Sequence, residues 1–221
     1  MANLSKRIIS GSQIQCGLLV LGLLALFSGP TFAAQQTRIN DERIRAAQIV
    51  GNYFNNLRSL KGTFIQTSTN KQKTRGRFYL QRPGKLSFEY KRPSRLRIVA
   101  DGKWFAIEDP DTDTFDRFQL KSTPFQMLLR QDVDLLRDAQ ILNHSISKNT
   151  VAITVVDRSN KTGVKIKLVL KKTPQLQLKE WIVTDELGLE THIQVANLKL
   201  GETVNPKLFR ISPMKFPESS Y

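Results

Sequence analysis

The sequence predicts a mainly β (α+β) protein of one domain, built on one antiparallel sheet or open barrel. Three observations point there. Roughly ten short runs of alternating apolar and polar residues are divided by turn residues at regular spacing. Only one stretch carries apolar residues at full helical spacing. There is no internal repeat, low-complexity tract or linker to divide the 221 residues.

The first 33 residues stand apart. Lys6 and Arg7 precede an apolar core at 17–27, and Ser28, Gly29, Pro30 and Thr31-Phe32-Ala33 supply small residues for cleavage. The core is too short for a bilayer span, which needs about 20 residues. We therefore expect a cleaved export signal at 1–33 and a mature domain at 34–221. The only cysteine, Cys16, would leave with the signal, so no disulfide is expected and the core must hold the fold unaided. Cleavage removes two of the 34 basic residues and none of the 19 acidic ones, taking the net charge from +15 to +13. In an exported protein that charge points to anionic headgroups, acidic partner proteins or plain solubility, rather than to nucleic acid.

The mature chain opens with the helix. Asp41 is the expected cap, and Ile44, Ala47, Val50, Phe54 and Leu57 form its apolar stripe. Residues 58–61 and Gly62 are expected to close it. Strands follow at 63–69, 75–81, 85–91, 95–100 and 104–107, with Pro83-Gly84 and Asp101-Gly102 as tight-turn signals. A second helical stretch is predicted at 124–130, extending through 134–137. Strands resume at 151–156, 164–170, 176–183 and 191–200, and Gly163 to Leu168 is the cleanest alternation in the chain.

Parity sorts these strands into faces. Phe78 and Leu80 oppose Arg77, Tyr79 and Gln81, while Leu86, Phe88 and Tyr90 oppose Ser87, Glu89 and Lys91. A base-stacking platform needs aromatics and cations on one side, and here they separate. Arg82 is the exception, in phase with Phe78 and Leu80. It either finds acceptors among apolar neighbours or snorkels to water past Pro83. So large an apolar face, with so few helices to cover it, leaves two solutions. The sheet closes on a filled core, or helices plug a half-barrel and leave a cavity suited to acyl chains.

Catalytic and metal chemistries lack their residues. The mature chain has only His144 and His192 as histidines, and no Gly-x-Ser-x-Gly elbow. The acidic run 108–113 begins like a calcium loop, but Thr114 and Leu120 stand where glycine and glutamate are required. It reads as a solvated hairpin turn. No enzyme, metal or cofactor is expected.

Taken together, Phe64-Ile65-Gln66, Gly76, Arg82-Pro83-Gly84-Lys85, Phe88-Glu89-Tyr90, Pro93, Asp101-Gly102 before Trp104, 124–129, and Trp181 with Asp185, Gly188 and Thr191 resemble the LolA family of periplasmic lipoprotein carriers. The resemblance runs over nearly all of 34–221 and is densest at 76–104. It implies a single large antiparallel sheet curved into an open, unclosed barrel, with helices forming a plug or lid over a hydrophobic cavity. It implies a non-catalytic monomer in the periplasm. The cargo would be triacylated lipoproteins, the donor an ATP-driven release complex in the inner membrane, and the recipient an outer-membrane lipoprotein acceptor. Another lipid or glycolipid is the alternative cargo. By resemblance Arg82 is the lid latch. Phe64, Phe78, Leu80, Leu86, Phe88, Tyr90, Ile98, Ile107, Met127, Leu128, Ile166 and Leu168 are expected to line the cavity. The tail 211–221 matches the family weakly.

Overall fold

The computed structural model describes residues 32–159 and 163–213. Nearly all of the expected export signal, and most of the 211–221 tail, lie outside the described residues. Eleven strands form one antiparallel sheet: β1 Ser59–Thr67, β2 Lys73–Gln81, β3 Lys85–Tyr90, β4 Arg97–Asp101, β5 Trp104–Asp109, β6 Thr114–Gln119, β7 Ala139–Ile146, β8 Thr150–Asp157, β9 Lys165–Lys171, β10 Gln177–Thr184 and β11 Glu190–Leu200. Their order is β6-β5-β4-β3-β2-β1-β11-β10-β9-β8-β7. The edges β6 and β7 do not pair, so the sheet curls without closing into a barrel. Three helices, α1 Phe32–Asn55, α2 Gln126–Leu129 and α3 Leu135–Asp138, are set against the sheet.

The strands form where parity allows one face to be buried. In β2 the buried residues are Gly76, Phe78 and Leu80, and in β9 Ile166 and Leu168 are buried while Lys165 and Lys167 are exposed. Phe64, Phe78, Phe88 and Trp181 meet as an aromatic cluster on the inner face. Ring centroids lie 4.9 Å apart for Phe64–Phe88, 5.6 Å for Phe78–Phe88 and 5.8 Å for Phe88–Trp181. Gly76 makes room for it, since a Cβ there would come within 2.6 Å of the Phe64 ring.

The helix differs from the expectation at both ends. It already runs at Phe32, so Asp41 lies inside it rather than capping it, and it stops at Asn55. Residues 59–61 belong to β1, which continues through Gly62 and pairs with both β2 and β11. Leu60 is drawn into β1 by ladder bonds on both sides, and Leu57, though buried, lies between the helix and the strand. Ala46, Ala47, Val50, Tyr53 and Phe54 are buried, and α1 packs on β7, β8 and α3.

Two strands were not expected. β6 is an edge strand exposed along almost its whole length, so no apolar alternation announces it. β7 carries a register shift between Ile141 and Asn143, which breaks the period of two. The predicted helix over 124–137 is really α2 and α3, divided at Arg130 to Val133 by extended backbone (Arg130 ψ 157°). Asp134 caps α3, accepting from the Leu136 and Arg137 amides.

Candidate functional site

On the inner face α1, α2, β2 and β3 converge with β10 on an apolar cavity of about 50 Å³. Six expected residues line it: Phe78, Leu80, Leu86, Phe88, Leu128 and Leu168. Phe54, Leu60, Phe125, Leu129, Leu178 and Trp181 complete its wall. A neighbouring cavity of about 180 Å³ shares Leu86, Phe88, Phe125 and Trp181, and adds the expected Tyr90 and Ile98. The Tyr90 hydroxyl donates to Gln66 Oε1, and burial pushes its pKa up to about 12.

Four expected lining residues are absent from both cavities. Phe64, Met127 and Ile166 are at most 2% exposed within the packed core, and Ile107 packs against its edge. They face the core, but neighbouring side chains fill the space before them. Trp181 and Leu178 were missed for a local reason. A register shift between Leu178 and Glu180 puts both residues in the inner wall despite their odd spacing. Beside that shift, the Leu178 amide donates to the Tyr53 hydroxyl at 3.2 Å, tying β10 to α1.

Arg82 sits at the end of β2, beside the C-terminus of α2. Its Nε donates to the Arg130 carbonyl at 3.1 Å, and its Nη2 donates to the same oxygen and to Asn55 Oδ1 at 3.5 Å. The sequence left acceptors or water open; acceptors are present. A cation on the last carbonyls of a helix is favourable, because those oxygens have no intrahelical partner. The next turn adds a second tie, with the Gly84 amide donating to the Leu129 carbonyl at 2.8 Å. Gly84 has φ 76°, and a Cβ there would come within 2.8 Å of Gly102 Cα, so the turn requires glycine. Burial pushes the Arg82 pKa down, with the charge of Asp132 opposing that shift.

Asn55, the last residue of α1, is a member of this cluster that sequence reasoning did not find. Its Nδ2 donates to the Val133 carbonyl at 3.0 Å, and its Oδ1 accepts from the Val133 amide at 2.8 Å. An Asn-Asn pair just beyond an apolar helix stripe was the available signal, but it reads equally as a simple helix stop. The segment 126–133 is thus held at Arg130 by β2, at Leu129 by the β2–β3 turn and at Val133 by α1. Phe125, just before α2, stacks on Phe105 of β5 with centroids 5.6 Å apart.

The remaining candidates resolve simply. His192 Nε2 lies 3.2 Å from Glu180 Oε2. Residues 110–113 form the turn between β5 and β6, but Glu108 is not solvated; it is buried and paired with Arg97 at 3.0 Å. Among the described residues no group of three or more His, Cys, Asp or Glu side chains could hold a metal ion. No described helix is long and apolar enough to cross a membrane.

A family model described as outer membrane lipoprotein carrier protein LolA matches residues 55–212. An outer-membrane lipoprotein carrier protein of Methylococcus capsulatus is 31% identical over 191 residues, covering 82% of this chain and 88% of its relative. One from Legionella pneumophila is 25% identical over 201 residues, covering 89% of this chain and 95% of its relative. A crystal structure of a LolA superfamily protein from Nitrosomonas europaea aligns with a TM-score of 0.40 at 12% identity, covering 75% of this chain and 97% of that one.

Proposed function

Because this chain belongs to the LolA family of outer membrane lipoprotein carrier proteins, we propose that it carries the acyl chains of lipoproteins across the periplasm. In this reading 1–33 is a cleaved export signal and 34–221 the mature carrier. An ATP-driven complex in the inner membrane hands over triacylated cargo, and an outer-membrane acceptor receives it. The role is binding and transfer, without catalysis.

The observation that carries this reading is an apolar cavity roofed by a lid that Arg82 holds through the Arg130 backbone carbonyl. Exposing three acyl chains, roughly 45 methylenes at about 0.8 kcal/mol each, would cost on the order of 35 kcal/mol in water. A diffusing carrier must cover them. Cavities of about 50 and 180 Å³ are below the ~300–1,000 Å³ typical of ligand pockets, so cargo enters only when α2 and its flanks move away.

That movement breaks the Arg82 bonds. The loaded state then holds a half-buried guanidinium without its acceptors, a cost of about 2–5 kcal/mol. Membrane and cavity are both apolar, so transfer between them is near balance, and reforming the latch favours unloading. Arg82→Leu is expected to load normally and to release poorly to the acceptor. Normal release in a two-step transfer assay would sink the latch. Mass spectrometry of what co-purifies with the protein tests the cargo: triacylated peptides support carriage, and glycolipid would reassign it.

A further inference from the structure

Beside Arg82 lies a polar groove of about 600 Å³ that shares no lining residue with the apolar cavity. Both latch side chains, Arg82 and Asn55, line it, together with Arg58, Gln81 and the loop 201–204 that follows β11. We propose that this groove docks an acidic segment of a partner polypeptide, whose carboxylate draws the Arg82 guanidinium off the Arg130 carbonyl and so releases the lid. The inference rests on the reading of Arg82 as the latch and names what opens it.

The first support is the set of acceptors around Arg82. All of them are neutral: the Arg130 carbonyl and the Asn55 amide oxygen. Its Nη1 makes no hydrogen bond among the described residues, and no described carboxylate lies within ion-pair distance. Asp132 acts only through space and is held by Arg137 at 3.2 Å. A guanidinium that is half-buried and unneutralised, on the wall of an open groove, is a standing site for a carboxylate. A carboxylate meets the guanidinium with a full opposite charge and two matched bonds, which a single neutral carbonyl oxygen does not offer. A carboxylate that enters at the unbonded Nη1 and then takes the Nε–Nη2 edge in bidentate form displaces the Arg130 carbonyl from both of its bonds.

The second support is the charge around it. Arg58 is exposed and lines the same groove, and its side chain has no partner among the described residues. The one acidic side chain of the wall, Glu202, is already engaged by Lys61 and, at 3.6 Å, by Lys199. The groove therefore presents two unneutralised cations in a chain of net charge +15. The third is the mixture of surfaces. Leu57, Pro83 and Val204 add apolar wall to the polar groups. That combination suits a peptide with side chains better than a phosphate headgroup held in a membrane plane.

Hexaglutamate peptide is the probe. It is added to the purified protein while the Arg82 Nε–H resonance and amide hydrogen exchange over 126–133 are followed. We expect the resonance to shift and the exchange to speed up about tenfold, the value for losing one net hydrogen bond. Arg58→Gln should raise the peptide concentration needed by about tenfold. An unmoved Arg82 resonance overturns the proposal. So does an equal response to inorganic phosphate or to phosphatidylglycerol vesicles, and so does an Arg58→Gln protein that responds like the parent. Arg82→Leu separates the two layers. If it leaves exchange over 126–133 unchanged, the latch reading itself fails. If it speeds exchange while hexaglutamate does nothing to the parent protein, the latch stands and the groove assignment falls.

Discussion

Two arginines in this molecule hold a peripheral segment by its backbone carbonyls, and only one of them is neutralised. Arg97, on the outer face of β4, donates to the Leu208 and Arg210 carbonyls at 2.8 and 2.9 Å and pairs with Glu108 at 3.0 Å. Glu108 in turn accepts from the Ser212 amide and hydroxyl at 2.8 and 2.9 Å. This straps the C-terminal 3-10 turn Pro206–Phe209 against β3 and β4, with Phe209 buried. Arg82 grips its segment through the Arg130 carbonyl alone, and its other acceptor is the Asn55 amide oxygen on α1. The strap satisfies its own charge and has no reason to let go. Arg82 has no carboxylate within ion-pair distance among the described residues, so in the proposed reading a carboxylate can displace its carbonyl.

The contrast is most easily broken at the strap. Arg97→Ala leaves Glu108 buried without its counter-charge, and we expect a loss of about 3–5 kcal/mol in urea unfolding. A loss below about 1 kcal/mol would make the strap as loose as the latch. Asn55→Ala comes next. It removes the paired bonds to Val133 and leaves both backbone groups unsatisfied, for about 1–3 kcal/mol in the same measurement. Arg82→Leu should cost less than either, within about 1 kcal/mol, because removing a partly buried charge offsets the lost bonds. Its signature is local: exchange over 126–133 rises while the strap at 206–212 stays protected. Equal loosening of both segments would remove the distinction between clamp and latch.

Much of this was legible in sequence where burial has period two. Phe78, Leu80, Leu86, Phe88 and Tyr90 sorted correctly because β2 and β3 run without a bulge, and Lys165 to Leu168 did so for the same reason. Asp101-Gly102 marked its hairpin because the turn needs a positive φ, 108° at Gly102. Arg82 stood out because its parity conflicted with its charge. The features that stayed hidden depend on non-local partners. Glu108 looked like one acid in a solvated turn, because Arg97 lies across a strand pair and Ser212 lies 104 positions away. Asn55 meets Val133 only after α1 and the lid have packed. The bulges in β7 and β10 shift parity by one, and no residue type announces them.

The smallest effect we expect concerns the frame that carries the latch carbonyl. Arg130 is anchored by its own side chain, whose Nη1 lies 3.0 Å from Asp138 Oδ1. The hydrogen bonds from Arg137, helped by the charge of Arg130, hold the Asp138 carboxyl below its ordinary value of 3.8, with burial opposing them. A carboxyl whose pKa is depressed on folding contributes stability that is complete above its unfolded value. That contribution is lost as pH falls through the depressed folded value. The gap in urea midpoint between the parent and Asp138→Asn should therefore be constant above pH 3.8 and close in stronger acid. A gap that persists there would mean the carboxylate charge is not what steadies Arg130. The lid would then rest on the Arg82, Gly84 and Asn55 contacts alone, and its release would depend on them and not on acid.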